Sequence, residues 1–385
     1  MGKRRGHGEG SIYQRKDGRW CASVDLGLVN GKRRRKTLYG DSRKAVAEQM
    51  KVVLRDQQLG LNIAPERQTL QQFLERWLEE VVKPARRPRT YESYGHAVNR
   101  YLIPHLGKRQ LMKLNPADVQ TMLNTLHSQG LTRTIRYTRA VLVIALNKAL
   151  KWGYVVRNVA ILADAPGVER RDIQPLTKEQ ALALLEAVKG HRLEALYRLA
   201  LSLGLRRGEV LGLRWEDVDL EKATLRISGA LQRQQGKLER TAPKTKASNR
   251  LLPLPAVLVR ALQAHRERQN VERQSDNWQE HGYVFPSTIG TPMEPRNLNR
   301  HFAAVLKRVG LPKTTRLHDL RHSAATLMLL QGVPLRVISK ILGHTQIRIT
   351  ADIYTHVLPE LERDAADRMD DLFGDARGEE EENDA

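Results

Sequence analysis

Two polar stretches, residues 62–68 and 165–174, cut the chain into three segments, one of strand character followed by two mainly helical ones, and this partition limits the fold more than any other feature. The second stretch combines Pro166 and Gly167 with a run of charges, a composition that resists both helix and strand. At 385 residues the chain exceeds an ordinary single domain. With 41% hydrophobic residues, each segment has enough apolar material for a core of its own.

The first segment reads as a small sheet followed by a helix. Residues 10–16, 19–27 and 32–39 have strand character. Asp17-Gly18 and Asn30-Gly31 are hairpin-turn dipeptides between them. A helix is expected from Asp41 or Ser42, as N-cap, through to Gly60. The middle segment is helical throughout. Thr69 and Gln72 form a capping box, and further helices are expected over 90–101, 116–128 and 132–152. In the last of these, Val141, Ile144, Ala145, Lys148 and Ala149 fall on one stripe. A second capping box, Thr177 with Gln180, opens the third segment. That segment is mostly helical, with one small antiparallel sheet expected between residues 223 and 254. The end of the chain, GDARGEEEENDA, is acidic and has a disorder-prone composition. The expected fold is therefore multidomain and mainly α, with small antiparallel β-sheets. Its parts are a three-stranded sheet plus helix over 1–61, a helical domain over 69–164, a mixed α/β domain over 174–374, and a disordered tail over 375–385.

Charge narrows the partner. Lys and Arg number 65 against 43 Asp and Glu, a formal net charge of +22, and so basic a chain points to a polyanion. A membrane surface would require a basic amphipathic helix with an aromatic face. Aromatics are only 5% of the residues and no such helix is evident. Cys21 is the single cysteine, so no disulfide framework, iron–sulfur cluster or cysteine-based zinc site is available within one chain. The opening residues MGKRRGHGEG carry no apolar run of a secretory signal. A cytoplasmic location is expected, on the nucleoid if the host is bacterial.

The cations are clustered. Lys32, Arg33, Arg34, Arg35 and Lys36 are consecutive on the third expected strand. Alternation would put charge on both of its faces, more than edge protection alone requires. Arg86, Arg87, Arg89, Arg133, Arg136 and Arg139 lie in the helical segment. Together they suit a phosphate backbone, although any one of them is better explained by a solvated helix face.

Four stretches of the third segment hold polar residues in apolar surroundings. Arg206 and Glu209 are three apart, the spacing of one helix face. Lys244, with Lys246 close by, falls in a turn between two expected strands, where decoration for solubility is an equal explanation. His318 and Arg321 are again three apart. His344 follows a Gly, and Tyr354 lies ten residues beyond it. Alone, each is unremarkable. As a set, they match what a side-chain oxygen needs to cleave a phosphodiester. Tyrosine, with a pKa of about 10, must be activated. Guanidinium groups match the non-bridging oxygens bidentately as charge grows. A lysine or histidine can protonate the leaving oxygen. No acidic cluster suited to a two-metal nuclease is apparent, so neither a metal nor another cofactor is expected.

These stretches resemble the tyrosine recombinases, specifically the phage-type integrases. The matching segments are GLRRGEVLGLRWEDVD (204–219), APKTKASNRLLPL (242–254), LHDLRHSAATLML (317–329) and ILGHTQIRITADIYTHV (341–357), in the family's order. The resemblance covers residues 69 to 373, and the N-terminal basic unit is similar to an arm-binding domain. It implies that Tyr354 is the nucleophile that joins a 3′ phosphate. Arg206 and Arg321 would hold that phosphate, Lys244 would protonate the leaving 5′ hydroxyl, and His318 would assist proton transfer. His344 would hydrogen-bond the phosphate and Glu209 would support the site. It also implies core-site recognition by the helical domain, a homotetramer on two duplexes with core and arm attachment sites, a directionality factor as a further partner, and no membrane. Three readings stay open beside integration of a mobile element. They are a chromosome-dimer resolvase, a topoisomerase with the same chemistry, and a DNA-binding regulator that has lost catalysis.

Overall fold

A computed structural model describes residues 10–29, 32–58, 68–167, 173–234, 236–242, 249–343 and 358–373. It divides into two compact units, 1–170 and 171–385, with the boundary inside the 165–174 stretch.

In the first unit, β1 (Ser11–Gln14), β2 (Trp20–Val29) and β3 (Lys32–Gly40) form an antiparallel sheet in the order β1-β2-β3. Gly18 makes the first turn at φ +81°, and Asp17 accepts a hydrogen bond from the Arg19 N–H at 3.2 Å. The Asn30-Gly31 pair lies outside the described residues. A helix, Arg43–Gln58, follows. Of the two N-cap candidates, Ser42 serves, its hydroxyl accepting from the Ala45 N–H. Cys21, Ala22 and Val24 from β2 are buried, as are Val46 and Val53 from the helix. The basic strand β3 is an edge of the sheet.

The helical part of this unit starts at the expected Thr69–Gln72 capping box. Helix Leu70–Trp77 continues through a wide turn, Leu78–Val82, into Lys83–Ala85. Helix Pro88–Ala97 likewise continues through Val98–Leu102 into Ile103–Leu106. In both places a proline, Pro84 or Pro104, follows two residues after the widened segment. A proline inside a helix has no N–H to donate and collides with the carbonyl four residues back. Widening the ring to a π-turn relieves that collision without breaking the helix. The second helical run thus extends to Leu106, past the expected end at 101. Helices Pro116–Ser128 and Thr132–Lys151 complete the domain. Leu70, Phe73, Trp77, Leu123, Leu126 and Leu142 are among its fully buried residues, and each such side chain contributes about 2 kcal/mol from apolar burial. Along the last helix the buried stripe is Val141, Leu142, Ala145, Leu146 and Ala149. Ile144, expected on that stripe, is exposed. The stripe runs at positions i, i+1, i+4, i+5 and i+8, which leaves Ile144 to one side of it.

The second unit opens at the Thr177–Gln180 capping box. Helices Lys178–Ala187, Glu194–Leu203, Ala256–Glu272 and Pro295–Arg308 enclose its main core. The strand region is two sheets, where the sequence suggested one. Strands β4 (Val218–Asp219), β5 (Thr224–Ile227) and β8 (Arg250–Pro253) form one, and β6 (Ala230–Gln234) pairs with β7 (Lys237–Thr241) in the other. The break falls at Ser228-Gly229, where the Arg240 side chain crosses. A Cβ on Gly229 would lie 2.8 Å from Arg240 Nε. Arg240 ties Ser228, the Asp217 carboxylate and the Gly212 carbonyl together, which pins the β6–β7 ribbon to the neighbouring helix. The last helices are Asp319–Leu330, Leu335–Leu342 and Leu358–Phe373. No helix among the described residues is long and apolar enough to cross a membrane.

Candidate active site

Helix Glu194–Leu203 ends at Gly204, left-handed at φ +59°. Two residues later Arg206 is extended, immediately before the short helix Arg207–Leu211. Arg206 and Glu209 therefore do not share a helix face. They meet because Glu209, in the first turn, accepts from the Arg206 backbone N–H at 3.0 Å and from its Nη1 at 2.8 Å. Arg207 points elsewhere, its Nη1 donating to Asn299 Oδ1 at 3.1 Å, which separates the roles of the two adjacent arginines.

Arg321, on the first turn of Asp319–Leu330, is 4% exposed. Its Nη1 donates to the Gly204 carbonyl and its Nη2 to the Leu342 carbonyl, both at 2.7 Å. Arg206 Nη2 reaches the next carbonyl, Gly343, at 3.4 Å. The two guanidiniums thus converge on adjacent residues at the end of helix Leu335–Leu342. Burial, then the like charge of Arg206, pushes Arg321 down to about 9, so it remains a cation at neutral pH. Arg206 keeps 38% of its side chain exposed, open to an incoming group.

The carboxylate of Glu209 is deeply buried, and burial alone would raise its pKa. The Arg250 hydrogen bond and charge, with the Arg206 N–H and charge, more than offset this and hold it below the ordinary carboxylate range. Glu209 is therefore an anion behind the arginines. His318 directly precedes helix Asp319–Leu330, and its backbone carbonyl accepts from the Arg321 N–H at 3.1 Å. His318 is exposed. Partial desolvation by the surrounding protein, then the charges of His322 and Arg321, pushes its pKa down. It is neutral at pH 7 and able to accept a proton. With Arg207, Asn299, Lys313 and Arg316 it lines a basic depression.

The structure thus brings together Arg206, Glu209, His318 and Arg321. Lys244, His344 and Tyr354 lie outside the described residues. Strands β7 and β8, on either side of the stretch that carries Lys244, belong to different sheets and do not pair with each other. The ribbon's own turn is at Gly236, φ +81°. Sequence reasoning missed Arg250, whose partner Glu209 is 41 positions away and beyond the reach of local spacing.

The proposed DNA-contacting residues are distributed as follows. Arg86, Arg87, Arg89, Arg133 and Arg136 are exposed, as is Arg35, while Lys36 is half-buried. Lys32, Arg33 and Arg34 belong to β3, and their side chains lie outside the described set. Arg139 is half-buried and donates to the Ile161 carbonyl at 2.9 Å, so it ties the loop after residue 158 to its helix. No group of three or more His, Cys, Asp or Glu that could hold a metal occurs among the described residues.

Comparison with known proteins places this arrangement. Residues 174–360 match the model of the phage integrase family, and residues 69–127 match that of the phage integrase N-terminal SAM-like domain. A tyrosine recombinase XerC-like protein of Caldanaerobacter subterraneus subsp. tengcongensis is 34% identical, over 89% of this chain and 93% of its own length. An integrase of Streptomyces ambofaciens is 34% identical over 97% of this chain and 98% of its own. Among solved structures, the Tn1549 transposon integrase in complex with a circular intermediate DNA aligns with a TM-score of 0.66 at 21% identity, covering 77% of this chain and 99% of that one.

Proposed function

This chain belongs to the phage integrase family of tyrosine recombinases, and from that premise we propose that it integrates and excises a mobile DNA element through a covalent 3′-phosphotyrosyl intermediate on Tyr354. The observation that carries the reading is the preset arginine pair. Arg206 and Arg321 are held by protein carbonyls and by Glu209 before any substrate arrives. A guanidinium has five N–H donors, and Arg321 spends two of them on carbonyls. The remaining donors suit the non-bridging oxygens of a phosphate whose charge grows as the phenolic oxygen attacks. Because the donors are fixed in advance, little reorganisation opposes the transition state.

The remaining roles follow the family's pattern. Tyr354 gives its proton up as its oxygen bonds to phosphorus, and neutral His318 takes the role of acceptor. The bond to the 5′ oxygen breaks, and Lys244 supplies the proton that this leaving oxygen takes. His344 donates to the phosphate. A 5′ hydroxyl from the partner strand then attacks the phosphotyrosyl bond, which retains the energy of the original linkage, so no nucleotide cofactor is consumed. Under this reading residues 69–164 bind the core site, residues 1–61 bind arm sites, and four copies act on two duplexes.

Of the two relatives, one is a XerC-like tyrosine recombinase and the other an integrase. The basic N-terminal sheet-and-helix unit favours integration, since a recombinase that resolves chromosome dimers has no need of a second, arm-binding module.

A nicked suicide substrate tests the proposal. Wild-type protein should form a covalent DNA adduct that survives denaturing electrophoresis, and Tyr354→Phe should lose the adduct entirely while still shifting DNA in a native gel. An adduct that persists in the Phe variant would remove Tyr354 from its role. No adduct in the wild type on authentic site DNA would favour the regulator reading.

A further inference from the structure

Behind Glu209 stands a second arginine that the reaction chemistry does not call for. Arg250, the first residue of β8, is 8% exposed. Its Nη2 donates to Glu209 Oε2 at 3.0 Å and its Nη1 to Oε1 at 3.4 Å, while its Nε donates to the Ile341 carbonyl at 2.7 Å. The carbonyls of residues 341, 342 and 343, at the end of helix Leu335–Leu342, are therefore each held by a different arginine: Arg250, Arg321 and Arg206 respectively. Two of those arginines, Arg206 and Arg250, share the Glu209 carboxylate.

We propose that Arg250 is a positioning residue for strand cleavage, which joins Glu209 to the end of helix Leu335–Leu342 so that Arg206 is presented to the scissile phosphate. The proposal rests on the recombinase reading above. Two physical consequences follow from the geometry. First, Arg250 occupies both oxygens of Glu209, so Arg206 gives that carboxylate a single side-chain donor and keeps the rest of its fork for the substrate. Second, Arg250 neutralises Glu209. Without it, the buried carboxylate would cancel the charge of Arg206 where the phosphorane charge develops, and would itself be undercompensated. A lysine could replace the charge, but one ammonium cannot span two carboxylate oxygens and a carbonyl on different elements.

The test is a double-mutant cycle on full-length protein with nicked suicide DNA, measuring single-turnover adduct formation at saturating DNA, the DNA Kd and the melting temperature. Arg250→Lys should slow cleavage about tenfold or more, with Kd unchanged within about threefold. In a Glu209→Gln background the same Arg250→Lys change should lose most of that effect, because its route runs through Glu209. Arg250→Met should slow cleavage about a hundredfold. Should the Met variant fail to fold, the Lys cycle decides alone. Wild-type cleavage by Arg250→Lys would overturn the proposal, as would an equal loss in the wild-type and Glu209→Gln backgrounds. Failure of the recombinase reading itself would look different, since the wild type would then form no adduct at all.

Discussion

Arginines sit in two settings in this chain, one at the solvent-exposed surface and one against backbone carbonyls in the interior. On the helical domain, Arg86, Arg87, Arg89, Arg133 and Arg136 stand exposed. In the second unit, Arg250 and Arg321 are buried and Arg206 half-buried, and all three hydrogen-bond to backbone carbonyls at the end of one helix. An exposed cation contributes to DNA affinity by releasing counterions, so its effect is additive and sensitive to salt. A held cation contributes through fixed geometry in a site with little water, so its effect is steep, position-dependent and far less sensitive to salt. Under the proposed function, the same residue type would set affinity in one region and rate in the other.

This contrast can be broken by experiment. The largest effect is expected for Arg206→Ala, which should slow single-turnover cleavage about a thousandfold at saturating DNA and leave Kd within about tenfold. Survival of cleavage at near the wild-type rate would transfer the role to another residue. Next is Gly204→Ala. An alanine there must adopt φ +59°, and its Cβ would lie 2.4 Å from Leu342 Cδ2, so a loss of about 2–4 kcal/mol in denaturant-measured stability is expected. An unchanged midpoint would mean that the Leu342 contact gives way easily. Smaller again is the double change Arg133→Ala with Arg136→Ala. It should reduce the slope of log K against log salt by about 2 and weaken binding about tenfold near physiological salt, with cleavage at saturating DNA unaltered. A loss of rate at saturation would undo the distinction between the two regions.

The smallest effect concerns pH. Packing and neighbouring charges depress the His318 pKa in the folded protein. The neutral form is therefore the resident one, and cleavage should stay level from pH 8 to about 6.5, then fall a few-fold as the ring takes up a proton at lower pH. Stability should fall in the same direction, because the unfolded chain binds that proton at about 6.5 while the folded chain resists it. A rate that rises on acidification would mean that protonated His318 is the active form.

Local signals in the sequence carried much of the fold. Thr69 with Gln72 and Thr177 with Gln180 start helices where their spacing predicts, because a capping box is satisfied within four residues. The expected hairpin at Asp17-Gly18 depends on one residue with positive φ and is equally local. What escaped was set by distant partners. The π-turns before Pro84 and Pro104 depend on whether a helix continues beyond a proline, which packing decides. The separation into two sheets at Ser228-Gly229 depends on Arg240, a side chain from another strand. At the site, neither the Arg206–Glu209 nor the His318–Arg321 spacing stands out alone; the four stretches together, and their resemblance to the tyrosine recombinases, made them legible, and the structure brings the two pairs together. Arg250 was not, since a lone arginine opening a strand gives no hint that its partners are a carboxylate and a carbonyl tens of residues away.

The division of the strand region has a practical consequence. The β6–β7 ribbon is fastened at its base by Arg240 and shares no ladder with β4, β5 and β8. Near its Gly236 turn, Arg233 pairs with Glu294 and donates to the Gly236 carbonyl, so residues added there would leave the register of the larger sheet alone but would have to spare that anchor. The two ties, Arg240 at the base and Arg233 near the tip, thus hold the ribbon independently of the larger sheet's ladder.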